Sequence, residues 1–160
     1  MKLKKFMFAL VGMTLIYSFP TMSNQTGTLF LRGSIPLIIS IKVRPTNNSF
    51  NLDLTTDQTD LLVAEVDEIS NSSTGHKILL SSQNGGRLLN SSGSDNFVYS
   101  AKYDGAEVSL SSDQVEIKNV PNAVPGESTS EFRISYTGKN PATIHAGDYK
   151  DNLTFTILAN

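Results

Sequence analysis

Across residues 37–158, apolar side chains recur at every second position in short runs, and clusters of Gly, Asn, Asp, Ser and Pro separate one run from the next. That period sends one row of side chains into a core and the alternate row to solvent, the reading of a half-buried strand in an antiparallel sheet. Leu37, Ile39, Ile41 and Val43 alternate with Ile38, Ser40 and Lys42 before Pro45 and two asparagines make a turn. Phe50, Leu52 and Leu54 alternate with Asn51 and Asp53. Leu62, Ala64 and Val66 repeat the pattern with Glu65 and Asp67 as polar partners. Ile78 and Leu80 follow the Asn71-Ser72-Ser73-Thr74-Gly75 turn, and the Ser/Asn-rich stretch 81–94 reads as a loop.

Farther along, Phe97, Tyr99, Ala101 and Tyr103 make the most aromatic face. Asp104-Gly105 is a tight-turn dipeptide, so 96–110 reads as a hairpin. Val115 and Ile117 form a weaker run, Phe132, Ile134 and Tyr136 a clean one, and 149–158 the last. Thr28 to Leu31 adds a short run closed by Gly33. Eight to ten short strands, with no convincing amphipathic helix, predict an all-β fold, an immunoglobulin-like antiparallel β-sandwich. The alternation Leu153-Thr154-Phe155-Thr156-Ile157 needs a strand beside it, from this chain or from another molecule.

The beginning of the chain reads differently. Lys2, Lys4 and Lys5 precede an uncharged apolar run at 6–19, and Thr21-Met22-Ser23 offers small residues for cleavage after Ser23. The run is short for a membrane span and fits a secretory signal peptide over residues 1–23. Residues 24–160 then form one domain, long enough for a real core. The removed segment takes three of the thirteen basic residues and none of the fifteen acids, leaving a formal charge of −5. No basic patch interleaved with aromatics points to nucleic acid. There is no cysteine, so burial and backbone pairing must do what disulfides do in many small exported domains, and thiol chemistry is excluded.

Candidate chemistry is sparse. His76 and His145 each lie near a turn glycine without a second ligand at metal spacing, and both read as solvated loop histidines. Asp57, Asp60, Glu65, Asp67 and Glu68 lack the ligand spacing and turn glycine of a calcium loop and read as a solvated face. Asp148 and Asp151 suit turns. No nucleophile elbow, phosphate loop or redox pair occurs, so neither an enzyme nor a cofactor is expected. Asn-x-Ser/Thr matches at Asn24, Asn47, Asn71, Asn90 and Asn152 are uninformative in a chain this rich in those residues. Tyr99, Tyr103 and Tyr136 could form a carbohydrate-binding face, although aromatics at strand period are more often core.

One stretch carries a family resemblance. Asn140-Pro141-Ala142-Thr143-Ile144-His145-Ala146-Gly147-Asp148-Tyr149, followed by an alternating strand, resembles the end of exported bacterial pilins. These are the major subunits of the CS1/CFA-I type and, more loosely, the spore coat protein U-like pilins of archaic chaperone–usher systems. The apolar run Ser34-Ile35-Pro36-Leu37-Ile38-Ile39-Ser40-Ile41, the Tyr103-Asp104-Gly105-Ala106-Glu107-Val108 hairpin, the Phe132 to Tyr136 strand and the lack of cysteine agree in kind.

The resemblance implies a sandwich short of one strand, completed first by a periplasmic chaperone and then by the N-terminal extension of the next subunit at an outer-membrane usher. The product would be a surface fimbrium of like subunits that can meet a host or surface receptor. Here the donor would lie in 24–33, with Leu29 and Leu31, or alternatively Thr28 and Phe30, as the inserting set. Leu37, Ile39, Ile41, Leu153, Phe155 and Ile157 would border the acceptor groove. The donor run is short. Either Arg32-Gly33-Ser34 continues it as far as Pro36, or the first strand folds onto its own domain and the sandwich is complete. In the second case a surface binding module for glycan or protein is the alternative, with Tyr99 and Tyr103 as ligand contacts.

Overall fold

The computed structural model describes residues 25–92, 95–122 and 124–160. The expected signal peptide and Asn24 lie outside the described residues. The chain divides into an N-terminal unit ending at Ser34 and a second unit, Ile35–Asn160. In the first, residues 25–34 form neither strand nor helix, and Leu29, Phe30 and Leu31 are 80–82% exposed. The Thr28 to Leu31 run is therefore no strand here. The five residues between Gly27 and Gly33 supply too few backbone partners to hold an extended form by themselves.

The second unit carries ten strands among the described residues. They are β1 (Ile39–Pro45), β2 (Gln58–Ser70), β3 (Gly75–Ser82), β4 (Arg87–Asn90), β5 (Asn96–Tyr103), β6 (Ala106–Val108), β7 (Val115–Pro121), β8 (Gly126–Tyr136), β9 (Tyr149–Lys150) and β10 (Leu153–Ala159). All pairings are antiparallel. One sheet has the order β1-β2-β8-β5-β4-β9 with β6 added to β5, and the other the order β10-β3-β7. The alternation seen in the sequence sets the faces. Phe97, Tyr99, Ala101 and Tyr103 on β5 and Phe132, Ile134 and Tyr136 on β8 meet Ile78 and Leu80 of β3 in one core. The fold is an all-β, immunoglobulin-like antiparallel sandwich.

The hairpin predicted at Asp104-Gly105 forms, with φ of 51° and 81° at those two residues, the doubly positive turn that matches strand twist. Four other readings change. Phe50 to Leu54 is not a strand: Asn47–Phe50 forms a helical turn, α1. Asp53 then takes hydrogen bonds from the Thr55 amide and hydroxyl and from Thr56. Such local side-chain bonding competes with sheet pairing. Phe50 is left 74% exposed.

The 81–94 stretch holds β4, because Leu88 fits the core opposite Phe97. Leu37 precedes β1 and is 60% exposed. There the backbone is held by Asn71, whose side chain accepts from the Ile38 amide and donates to the Pro36 carbonyl. The run 149–158 is two strands in different sheets, β9 on β4 and β10 on β3, parted at Asp151-Asn152.

Candidate functional site

Two strands border the region in question, and each is an edge. β1 pairs with β2 and β10 with β3, and neither has a second strand neighbour among the described residues. They run alongside each other with Cα–Cα distances within 8 Å, yet belong to different sheets. Between them the apolar rows predicted from the sequence face inward. Ile41, Leu153, Phe155 and Ile157 pack against the core but stay only half-buried. Phe155 meets Phe132 edge-on at 5.3 Å between ring centroids and lies 6.0 Å from Tyr103.

Ile39 is also half-buried, in the first pair of β1. The structure therefore gathers five of the six expected acceptor residues along two neighbouring edges. Leu37 is not among them, because it stands outside β1. Where β1 ends and β10 begins, a cavity of about 130 Å³ opens among Leu52, Val63, Leu88, Tyr99, Ile134 and Leu153.

The spacing has a mechanical meaning. A strand inserted between two others needs about 9.6 Å between its outer neighbours, twice the spacing of paired strands. With Cα atoms of β1 and β10 within 8 Å, the two edges must part before a full strand lies between them. What such a strand would gain is clear from the edges: backbone donors and acceptors free to pair, and an incompletely covered apolar floor.

Beneath these edges is a buried polar cluster that the sequence reading missed. Glu68 on β2 is 1% exposed. Its carboxylate accepts from the Tyr103 hydroxyl at 2.5 Å and the Ser130 hydroxyl at 2.9 Å, both of the larger sheet. From the smaller sheet, His76 Nε2 lies at 3.2 Å and Lys118 Nζ at 3.0 Å. Ser128, opposite Glu68 in register, is at 3.4 Å.

Glu68 is thus no part of a solvated acidic face, and His76, 6% exposed, is no loop histidine. The turn at Ser72–Gly75 places His76 at an inward position of β3, and position 68 falls in the inward row of Ala64 and Val66. That parity was the signal available in the sequence. His145 is exposed as expected, with Nδ1 2.7 Å from Asp95. Among the described residues no three His, Asp or Glu side chains gather as they would around a metal ion.

Tyr99 and Tyr103 are corrected as well. They are 6% and 1% exposed, and their hydroxyls donate inward to Asp151 at 2.6 Å and to Glu68. Buried rings whose polar ends are already bonded offer no surface to a glycan, so they are core residues and not ligand contacts. Burial and the adjacent carboxylates push both phenol pKa values far above the ordinary range.

No protein-family model and no curated protein matches the chain. Among solved structures it is similar to the CooA pilin subunit from enterotoxigenic Escherichia coli, with 13% identity and a TM-score of 0.40 over 73% of this chain and 86% of that one. It is similar also to HdaB, the Hda pilus minor tip subunit of E. coli, with 17% identity and a TM-score of 0.38 over 74% of this chain and 79% of that one. Both scores are low, and the fold assignment rests on the strand pairing described above.

Proposed function

We propose that the protein is an exported structural subunit that assembles on the cell surface by strand complementation. The groove between β1 and β10 receives an extended apolar segment, residues 28–31 of another copy. The observation that carries this reading is the pair of adjacent free edges over a half-covered floor of Ile41, Leu153, Phe155 and Ile157. The exposure of Leu29, Phe30 and Leu31 in a segment without its own pairing supplies a matching donor.

Strand addition joins the two. The donor backbone completes the hydrogen bonding of both edges, and its alternate side chains cover the floor. A groove of this kind would be filled by a chaperone strand in transit through the periplasm, with an outer-membrane usher handing each subunit to the next. The role is structural, and any adhesion to a host or surface receptor follows from the polymer.

The test compares protein beginning at Asn24 with the same protein lacking residues 24–33, by light scattering after size exclusion. The intact form self-associates. The shortened form does not, and gains stability when a peptide of residues 25–36 is supplied. A heat-stable monomer in both cases, indifferent to the peptide, overturns the reading.

A further inference from the structure

The buried cluster around Glu68 lies in a telling place. Glu68 is directly opposite Ile41 of β1, and His76 is directly opposite Ala159 of β10. The 3.2 Å contact between the Glu68 carboxylate and His76 Nε2 therefore joins the strand next to one free edge with the strand next to the other. Much of the sheet interface is apolar packing, which is non-directional and tolerates small sliding. A hydrogen-bonded carboxylate at the sheet interface is directional, and a partner lost from it leaves a buried charge uncompensated.

Resting on the strand-accepting reading, we propose that the Glu68–His76 contact is a cross-sheet clamp that sets the separation of β1 and β10 and so controls how readily the groove admits a donor strand. The remaining contacts fit that role. Tyr103 and Ser130 fix the carboxylate to the larger sheet. Lys118 Nζ reaches it from β7 and also bonds Ser130 at 2.8 Å, a second tie across the sheets. Asp104 lies 3.6 Å from Lys118 Nζ, and Glu127 lines the cavity beside Glu68, His76 and Lys118.

Among the described residues His76 Nδ1 is buried without a partner, so the Glu68 contact orients the ring. Entry of a donor requires β1 and β10 to part, and with β2 and β3 held together the parting must come from the edge strands alone. Loosening the clamp allows the second strands to follow.

The absence of cysteine permits a direct reading of the spacing. Lys42→Cys and Thr154→Cys place spin labels at exposed positions of β1 and β10, and dipolar electron paramagnetic resonance reports their separation. Glu68→Met and His76→Phe remove the contact from opposite sides, so that one variant remains informative if the other fails to fold.

The expected result is a longer or broader label distance in the variants, with capture of a fluorescent peptide of residues 25–36 faster by about fivefold or more. Unchanged distances in a folded variant overturn the clamp. Longer distances with faster capture support it. Longer distances with no peptide captured by any form uphold the clamp on spacing and sink the strand-accepting reading.

Discussion

The Tyr99 hydroxyl donates to Asp151 Oδ2 at 2.6 Å, and the Ser82 hydroxyl of the opposite sheet donates to the same oxygen at 2.6 Å. Asp151 stands where the chain leaves β9 of the larger sheet and enters β10 of the smaller. Its other oxygen takes the Asn84 amide at 3.0 Å. One carboxylate thus ties down the crossover that delivers β10 to its edge.

Asp151→Ala leaves two donors from the sandwich interior without an acceptor, and a loss of about 3 kcal/mol is expected. Tyr99→Phe removes one bond to a charged group and leaves Ser82 satisfied, costing about 1.5 kcal/mol. Urea unfolding followed by circular dichroism measures both. Equal losses in the two variants would deny Asp151 its double role.

Acid unfolding isolates Glu68. Burial works to raise its pKa, and hydrogen bonds from Tyr103, Lys118, Ser130 and His76 more than offset that, leaving the carboxyl below its ordinary value. A lower pKa in the folded state means that the unfolded chain takes up a proton first. This share of stability is complete above the ordinary glutamate range and is lost as pH falls through the lowered value. Asp53, Asp67 and Asp95 are lowered too, by hydrogen bonds from Thr55, Arg44 and the His145 amide respectively, and they titrate in every variant. Below about pH 4 the melting temperature of the native sequence should therefore fall more steeply than that of Glu68→Gln. Parallel curves would show that the carboxylate contributes nothing specific.

Gly75 closes the turn into β3 with φ of +86°, and a Cβ there would stand 1.9 Å from the Val120 carbonyl oxygen of β7. Space and backbone conformation both refuse a side chain. Gly75→Ala should cost at least about 2 kcal/mol, read as a lowered urea midpoint with an unchanged slope. Gly85, also at positive φ but with open space around it, is the control: Gly85→Ala should cost about 1 kcal/mol.

Much of this sandwich was legible from period alone. The rows Phe97-Tyr99-Ala101-Tyr103 and Phe132-Ile134-Tyr136 name the core because residues two apart share a face, and Asp104-Gly105 names its turn because both residues accept positive φ. Local hydrogen bonding was harder to see. Asp53 binds Thr55 and Thr56 and so ends what looked like a strand at Phe50 to Leu54.

Polar residues in inward rows were harder still. Glu68 and His76 look solvated until the parity of their strands is followed through, and their meeting depends on the packing of two sheets that no local pattern encodes. For the same reason the edges β1 and β10 were named as groove borders from the resemblance, while the break at Asp151 that separates β10 from β9 was not.

The central claim concerns which strands accept a partner, and amide hydrogen exchange of the chain from Asn24 onward, with and without an excess of a peptide of residues 25–36, measures that most directly. The account predicts that amides of β1 and β10 slow together on adding the peptide, while β6 and β9, edges of the same sandwich away from the groove, keep their rates. Protection confined to β6 or β9, or no change in β1 and β10 at saturating peptide, would contradict it.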